Sequence, residues 1–332
     1  MSRPQGTAPF SVNLMPELRR DDLSGRWVLL APGRAERPHT FPPPGRGESA
    51  PADECPFCPG NERLTPPEVY RTGEGGPDTP GWRVRVVPNL YPIVGGTDAG
   101  TGATGAHEVV VLSPSHTDSF AQLEPDDAVE VLTVLRDRSR HHLAAGHTFV
   151  QAVINHGRAA GASIAHPHAQ LVALDLVPPA VARAVERFET AGRDLVVGDM
   201  DAAGTDLRLL DGPAPAWAPG AGSTPYELRV APRAAATRFD EADDGDIKAV
   251  AGSARGALAM LAASIGDVPY NLVVHTAATG AADGSFHWYI EVQTRTAVVA
   301  GFEQGTGIFV NTVPPERAVP QLRAAVAAAE QD

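Results

Sequence analysis

Short apolar or alternating runs at residues 26–31 (R-W-V-L-L-A), 82–95 and 107–112 have the period of half-buried strands. Over residues 123–143 the period lengthens. Val129, Leu132 and Leu135 recur at helical spacing, with Arg and Asp between them, behind a Pro125-Asp126-Asp127 start. Residues 149–154 return to a strand pattern, as does Leu171-Val172-Ala173-Leu174. The plan then recurs. Residues 226–233 (Y-E-L-R-V-A-P-R) echo 107–114 (H-E-V-V-V-L-S-P), and Phe239 echoes Phe120. A helical pattern over 247–261 echoes 129–143, and residues 270–292 echo 149–172. Setting the two Gly-containing loops against each other pairs His166 with His287, His168 with Tyr289 and Gln170 with Glu291. The pattern predicts an α+β chain of two like units, residues 1–178 and 179–332, each a mostly antiparallel sheet with helices packed on it.

Polar groups gather at one place in the first unit, His166-Pro167-His168-Ala169-Gln170. Pro167 lacks an N–H and favours extended neighbours, so this segment reads as strand rather than helix. On an extended backbone His166, His168 and Gln170 share one face, which suits a site. The alternative is the polar outer face of an edge strand. Just upstream, Gly157 and Gly161 with Ser163 form a small-residue loop whose backbone amides could approach an anion.

Composition narrows the class. With 332 residues, 43% hydrophobic and 20% charged, the chain can bury a substantial core and suits a soluble globular protein. A net charge of −13 gives no basic footprint for nucleic-acid backbones. No apolar run is long enough to span a bilayer, and residues 1–13 lack the layout of a signal peptide, so the expected location is cytoplasmic. Phosphorylated small molecules would have to be held by a few local Arg residues and backbone amides. The two Cys form Cys55-Pro56-Phe57-Cys58 in a Pro-rich loop. That setting favours a zinc knuckle over a thioredoxin-like dithiol, although a merely buried or oxidised pair fits the same spacing. Two Cys need two further ligands, which directs attention to His.

The His-Pro-His-Ala-Gln segment after its Gly-rich loop resembles the active-site segment of the galactose-1-phosphate uridylyltransferases, a branch of the histidine-triad superfamily, with Ala169 where those enzymes have Gly. The resemblance runs from Arg26 to about Arg323 and implies duplicated histidine-triad-like units. It implies that His168 is a covalent nucleophile, that Gln170 contacts phosphate with Ser163 nearby, and that His166 is a zinc ligand. The S-P-S-H turn supplies His116 as another ligand, completing Cys55, Cys58, His116 and His166 around one structural zinc. Arg34 and Arg37, in A-P-G-R-A-E-R-P, fall on the family's nucleotide-contacting arginines, and Asn89 falls at its nucleoside end. The N-L-Y-P around Asn89 is also close to what the superfamily's ADP-sugar phosphorylases carry. Asn155 and Gly161 complete the implied substrate-binding set. Glu303, in A-G-F-E-Q-G-T-G, falls on a sugar-contacting position that reaches a neighbouring subunit in a homodimer; otherwise it is a surface Glu on a Gly-rich turn. The family's second metal site uses a Glu and three His. Here His275 and His287 match, Tyr289 replaces the third His, and Ala184 falls where the Glu should be, so that site is expected to be lost.

An imidazole suits the implied chemistry. It is largely uncharged near neutrality, can attack an α-phosphorus and can leave again, splitting nucleotidyl transfer into two displacements. One ring nitrogen must be held by a hydrogen bond, and a backbone carbonyl near His166 is the natural partner. The main expectation is transfer between a nucleotide sugar and a sugar-1-phosphate, as in UDP-glucose:galactose-1-phosphate uridylyltransferase. The alternatives are an NDP-sugar phosphorylase of the ADP-glucose type, with phosphate as acceptor, and a hydrolase using water. A non-catalytic zinc-stabilised nucleotide-binding protein is a reading of another class.

Overall fold

The computed structural model describes residues 15–36, 51–95, 104–233 and 236–329. Its first strands, β1 (Glu17–Arg20) and β2 (Trp27–Leu30), are followed by β3 (Tyr70–Gly73), β4 (Trp82–Pro88) and β5 (Gly105–Val111). Helix α1 (Pro125–Ala144) leads to β6 (Phe149–His156) and β7 (His168–Leu174). Helices α2 (Pro179–Ala191) and α3 (Leu195–Ala203) then precede β8 (Arg208–Leu210), β9 (Ala216–Trp217) and β10 (Leu228–Val230). The chain closes with α4 (Asp244–Ile265), β11 (Tyr270–His275), β12 (Tyr289–Thr294), α5 (Gly301–Thr306), β13 (Ile308–Asn311) and α6 (Pro315–Ala329).

The fold is α+β. Ten strands form one antiparallel sheet in the order β3-β4-β5-β7-β6-β11-β12-β10-β9-β8. A small sheet, β1-β2-β13, carries the parallel pair β2–β13. The repeat seen in the sequence appears as a palindrome. Reading outward from the central β6–β11 pair gives β7 then β5 on one side, and β12 then β10 on the other. The echoing Phe120 and Phe239 each begin a 3-10 turn ahead of α1 and α4.

One face of the sheet is apolar. Ala169, Leu171 and Ala173 of β7 point there with Val150, Ala152 and Ile154 of β6, Leu272 and Val274 of β11, and Ile290 and Val292 of β12, all in one buried core. Helices α1 and α4 cover that face and pack on each other. Pro125 opens α1, Asp126 and Asp127 complement its dipole, and Ala128, Val131, Leu132 and Leu135 form its buried stripe. Asp243 caps α4 by accepting from Asp246 N at 2.8 Å. Each fully buried Leu or Val contributes roughly 1.5–3 kcal/mol, and that burial fixes the register of every strand.

Register also builds the opposite, polar face, because residues directly opposite one another in a ladder share a side. One row runs Gln170–Val153–Val273–Glu291–Arg229 across five strands. The next runs Asn155–Asn271–Gln293. The β6–β7 ladder ends at the Ile154–Ala169 pair, one residue short of Asn155 on one strand and His168 on the other. Among the described residues no helix is long and apolar enough to cross a membrane.

Candidate active site and metal centre

Four side chains converge beside the start of β7. The Nδ1 atom of His116 lies 3.1 Å from Cys58 Sγ, and that of His166 lies 3.5 Å from Cys58 Sγ and 3.7 Å from Cys55 Sγ. All four donor atoms fall within 4.8 Å of one another, a metal-binding group. A tetrahedral ion with ligand bonds of about 2.1 Å to nitrogen and 2.3 Å to sulfur needs N···S edges of about 3.6 Å. The three N···S distances lie within about 0.5 Å of that value, and a Cys₂His₂ donor set suits zinc. His166 Nε2–H donates to the Ser113 carbonyl at 2.9 Å, which leaves Nδ1 bare for a metal. Burial pushes the His166 ring down to about 4, keeping it neutral as a ligand must be. Burial and the neighbouring Cys55 push the Cys58 thiol up to about 11, which a bound cation would reverse.

The knuckle is held from outside. The Asn61 amide donates to the carbonyls of Cys55 at 2.9 Å and Asp53 at 3.0 Å. Glu62 accepts from Gly60 N and from the Trp82 indole, each at 2.9 Å. Phe57, Val87, Val109 and Val111 pack around the thiols.

His166 itself precedes β7, and regular alternation begins at His168. The His166 ring turns to the metal group, whereas His168 Nδ1–H donates to the His166 carbonyl at 2.9 Å. His168 is 5% exposed, with the Phe57 ring centroid 5.2 Å away. Its Nδ1 carries the proton, so Nε2 keeps a free lone pair. Burial lowers its affinity for a second proton, outweighing the carbonyl contact, so the ring stays neutral.

Gln170, two residues on, is oriented by a residue to which the sequence assigned no role. Ile93 N donates to His107 Nδ1 at 3.2 Å, so the proton of that ring lies on Nε2. His107 Nε2 is 2.9 Å from Gln170 Oε1 and can donate to it. That turns the Gln170 amide so that its NH₂ points away from His107. Asn89 Nδ2 sits 3.1 Å from the same ring nitrogen, and Asn89 Oδ1 accepts from Tyr91 N at 2.9 Å.

Asn155 and Gly161 line an open cleft of about 730 Å³, together with Asn271 and Arg295. Gly161 adopts φ +94° and Gly157 φ +80°, with Pro269 so close to Gly157 that an added Cβ would sit 3.0 Å from it. The loop differs from expectation in one respect. The amides of Ala160 and Ala162 bond to the Gly157 carbonyl and that of Gly161 to the Arg158 carbonyl, at 3.0 to 3.3 Å. Three amides expected to face an anion are thus engaged within the turn. Ser163 is exposed in the bend that follows. Arg34 is exposed on the 3-10 turn Pro32–Glu36, and Arg37 lies outside the described residues. Glu303 is half-buried on α5, where its carboxylate accepts from Ala300 N at 3.0 Å. Neither Arg34 nor Glu303 lines the cleft.

The second unit carries a different constellation at the matching place. His287 Nε2–H donates to the Pro232 carbonyl at 3.0 Å, the counterpart of the His166–Ser113 bond. Where His166 faces the metal group, His287 Nδ1 meets Asp194 at 2.8 Å, and that carboxylate also caps α3 through Val196 N and Val197 N. His275 lies 3.2 Å from Glu291 and stacks on the Tyr289 ring at 4.5 Å. Arg229, fully buried, is ringed by Asp21, Asp199, Glu227 and Glu291 at 2.9 to 3.7 Å. Ala184 and Tyr289 supply no metal donor of the expected kind. The one metal-capable group among the described residues is the Cys55 cluster.

A protein family described as a domain of unknown function (DUF4921) matches residues 115–331. ADP-glucose phosphorylase of Arabidopsis thaliana is 31% identical over 336 residues, covering 94% of this chain and 93% of that protein. Galactose-1-phosphate uridylyltransferase of Thermotoga maritima is 25% identical over 333 residues, covering 93% of this chain and 98% of its own. The crystal structure of the Arabidopsis ADP-glucose phosphorylase with bound ADP-glucose matches with a TM-score of 0.81 at 29% identity, over 93% of this chain and 98% of that one.

Proposed function

The chain belongs to the histidine-triad family that holds ADP-glucose phosphorylase and the galactose-1-phosphate uridylyltransferases, and from that premise we propose that it is a nucleoside-diphosphate-sugar phosphorylase acting on ADP-glucose. The observation that carries the choice of acceptor is the likeness to ADP-glucose phosphorylase over nearly the whole of both chains. Transfer to galactose-1-phosphate, the main expectation from the sequence, becomes the second reading, favoured by the weaker uridylyltransferase likeness.

In the proposed reaction His168 Nε2 attacks the α-phosphorus of the donor. The N–P bond forms as the P–O bond to the sugar-1-phosphate breaks, and that group leaves already ionised. An oxygen of inorganic phosphate then attacks the same phosphorus, the N–P bond breaks, and the nucleoside diphosphate departs. The His166 carbonyl holds the Nδ1 proton throughout and orients the ring. The Gln170 NH₂ stabilises charge on the non-bridging oxygens. Asn155 adds a further donor from the neighbouring strand, with Gly161 keeping the cleft open, while Arg34, Arg37 and Asn89 bind the nucleotide. Zinc at Cys55, Cys58, His116 and His166, with four protein ligands and no open position, would act structurally and tie the knuckle to the active-site strand. Residues 1–178 are proposed as the catalytic unit and 179–332 as the unit without a nucleophile, with Glu303 reaching the site of a second copy in a homodimer.

The test is a panel of ADP-glucose and UDP-glucose against phosphate, galactose-1-phosphate and water. ADP and glucose-1-phosphate should form fastest from ADP-glucose with phosphate. Faster uridylyl transfer to galactose-1-phosphate would overturn the assignment.

A further inference from the structure

The open cleft between Gly161 and Asn271 is lined by a cation without an ion-pair partner among the described residues. Arg295 follows β12 and lines the cleft with Asn155, Gly161 and Asn271. Its Nε–H donates to Asn271 Oδ1, and Nη2 reaches Gln293 Oε1 at 3.4 Å. Both partners are neutral amides, and no carboxylate among the described residues pairs with this guanidinium. Burial and the Arg26 charge make it harder to keep protonated than an ordinary Arg, outweighing the attraction of Glu227 and Glu291. An arginine nevertheless stays charged in protein. A half-buried guanidinium facing an open cleft is therefore short of an anion.

The amides around it are committed in one direction. Asn271 Nδ2 donates to Asn155 Oδ1 at 2.7 Å and to the Ala160 carbonyl at 2.8 Å, while Asn271 Oδ1 takes the Arg295 proton. With Asn155 Oδ1 occupied, its NH₂ is left for a ligand, one residue past the end of the ladder that joins β6 to the strand of His168. The loop amides of Ala160, Gly161 and Ala162 are already bonded within the turn. In a chain of net charge −13, recognition of a phosphate at this point falls to side chains.

We propose that Arg295, held in place by Asn271 and Gln293, anchors a phosphate dianion in this cleft, with the Asn155 NH₂ as a second donor. The inference deepens the phosphorolysis reading and rests on it for the identity of the anion, the incoming phosphate or the phosphate of the departing sugar. A guanidinium fork suits such a group, and one charge-assisted contact is worth ~1.5–3 kcal/mol, about ten- to a hundredfold in affinity.

Calorimetric titration with inorganic phosphate, and separately with glucose-1-phosphate, tests this on the zinc-loaded wild type, Arg295→Gln and Arg295→Lys. Phosphate affinity should fall about ten- to a hundredfold in Arg295→Gln and recover in part in Arg295→Lys, with melting temperature and zinc content unchanged. A loss confined to glucose-1-phosphate would keep Arg295 in its role and identify the bound group as an esterified phosphate. Unchanged affinity for both ligands in a folded Arg295→Gln protein would overturn the proposal. If that variant does not fold, protection in the wild type decides. Phosphate should shield Arg295 from phenylglyoxal, and absence of shielding would overturn it. These readouts need no turnover, so a wild type that fails to phosphorolyse ADP-glucose would strike the functional reading and leave Arg295 to be judged on binding.

Discussion

Replacing His107 by Leu removes the one hydrogen-bond partner of the Gln170 amide among the described residues. In the structure the His107 Nε2–Gln170 Oε1 contact is 2.9 Å long, between a side chain 7% exposed and one on the active-site strand. Its loss costs one hydrogen bond and frees the amide to rotate, together about 1–2 kcal/mol. The productive orientation of the NH₂ should therefore fall roughly five- to thirtyfold. Removing the donor outright, in Gln170→Ala, should cost about a hundred- to a thousandfold. The two changes should not multiply, because His107 acts through Gln170. Single-turnover release of glucose-1-phosphate from ADP-glucose, by rapid quench, measures the step directly. The double variant should match Gln170→Ala within about twofold. Multiplicative losses would show that His107 acts independently, and an unimpaired, well-folded His107→Leu would show that it does not orient Gln170 at all.

Purified protein should hold one zinc per chain, and Cys55→Ser/Cys58→Ser should lose both that metal and thermal stability; two tightly held metals, or zinc surviving the double change, would contradict this. The buried acidic cluster predicts a pH effect of definite sign. Burial and the Glu291 carboxylate push Glu227 up to about 8 from the usual 4.5, so the folded protein holds a proton there that the unfolded chain has released. This contribution to stability therefore declines as pH rises from about 4.5 through 8. Glu227→Gln keeps an acceptor for Ser223, so it should melt with the wild type near pH 4.5 and increasingly above it as pH rises to 9; a difference that does not change with pH would refute the assignment.

Sequence periodicity made the main elements legible because each buries a continuous apolar face. The 123–143 pattern became α1, the 247–261 pattern lies within α4, and β6, β7, β11 and β12 fall where alternation placed them. The repeat was legible too, although not its joining into one sheet through β6 and β11, since edge pairing depends on residues over a hundred positions apart. The Cys pair announced itself by its spacing, and the two His donors entered through the family resemblance. The supporting polar groups did not. His107 reads as an ordinary strand residue until the chain brings it to Gln170, and Arg229 looks solvent-facing until Asp21 arrives from the opposite end of the chain. Likewise, a Gly-rich loop suggested free amides, and only its backbone geometry shows three of them engaged within the turn.

The central claim is that His168 carries the nucleotide between donor and acceptor. Its most direct test is intact-mass analysis after incubation with ADP-glucose in the absence of phosphate. A single adenylyl group should attach to wild type, map to His168, be labile in acid and stable in base, and leave when phosphate is added. His168→Gly should show none. A protein that turns over ADP-glucose with sequential kinetics and never shows the adduct would contradict the account, leaving His168 as a phosphate-binding residue only.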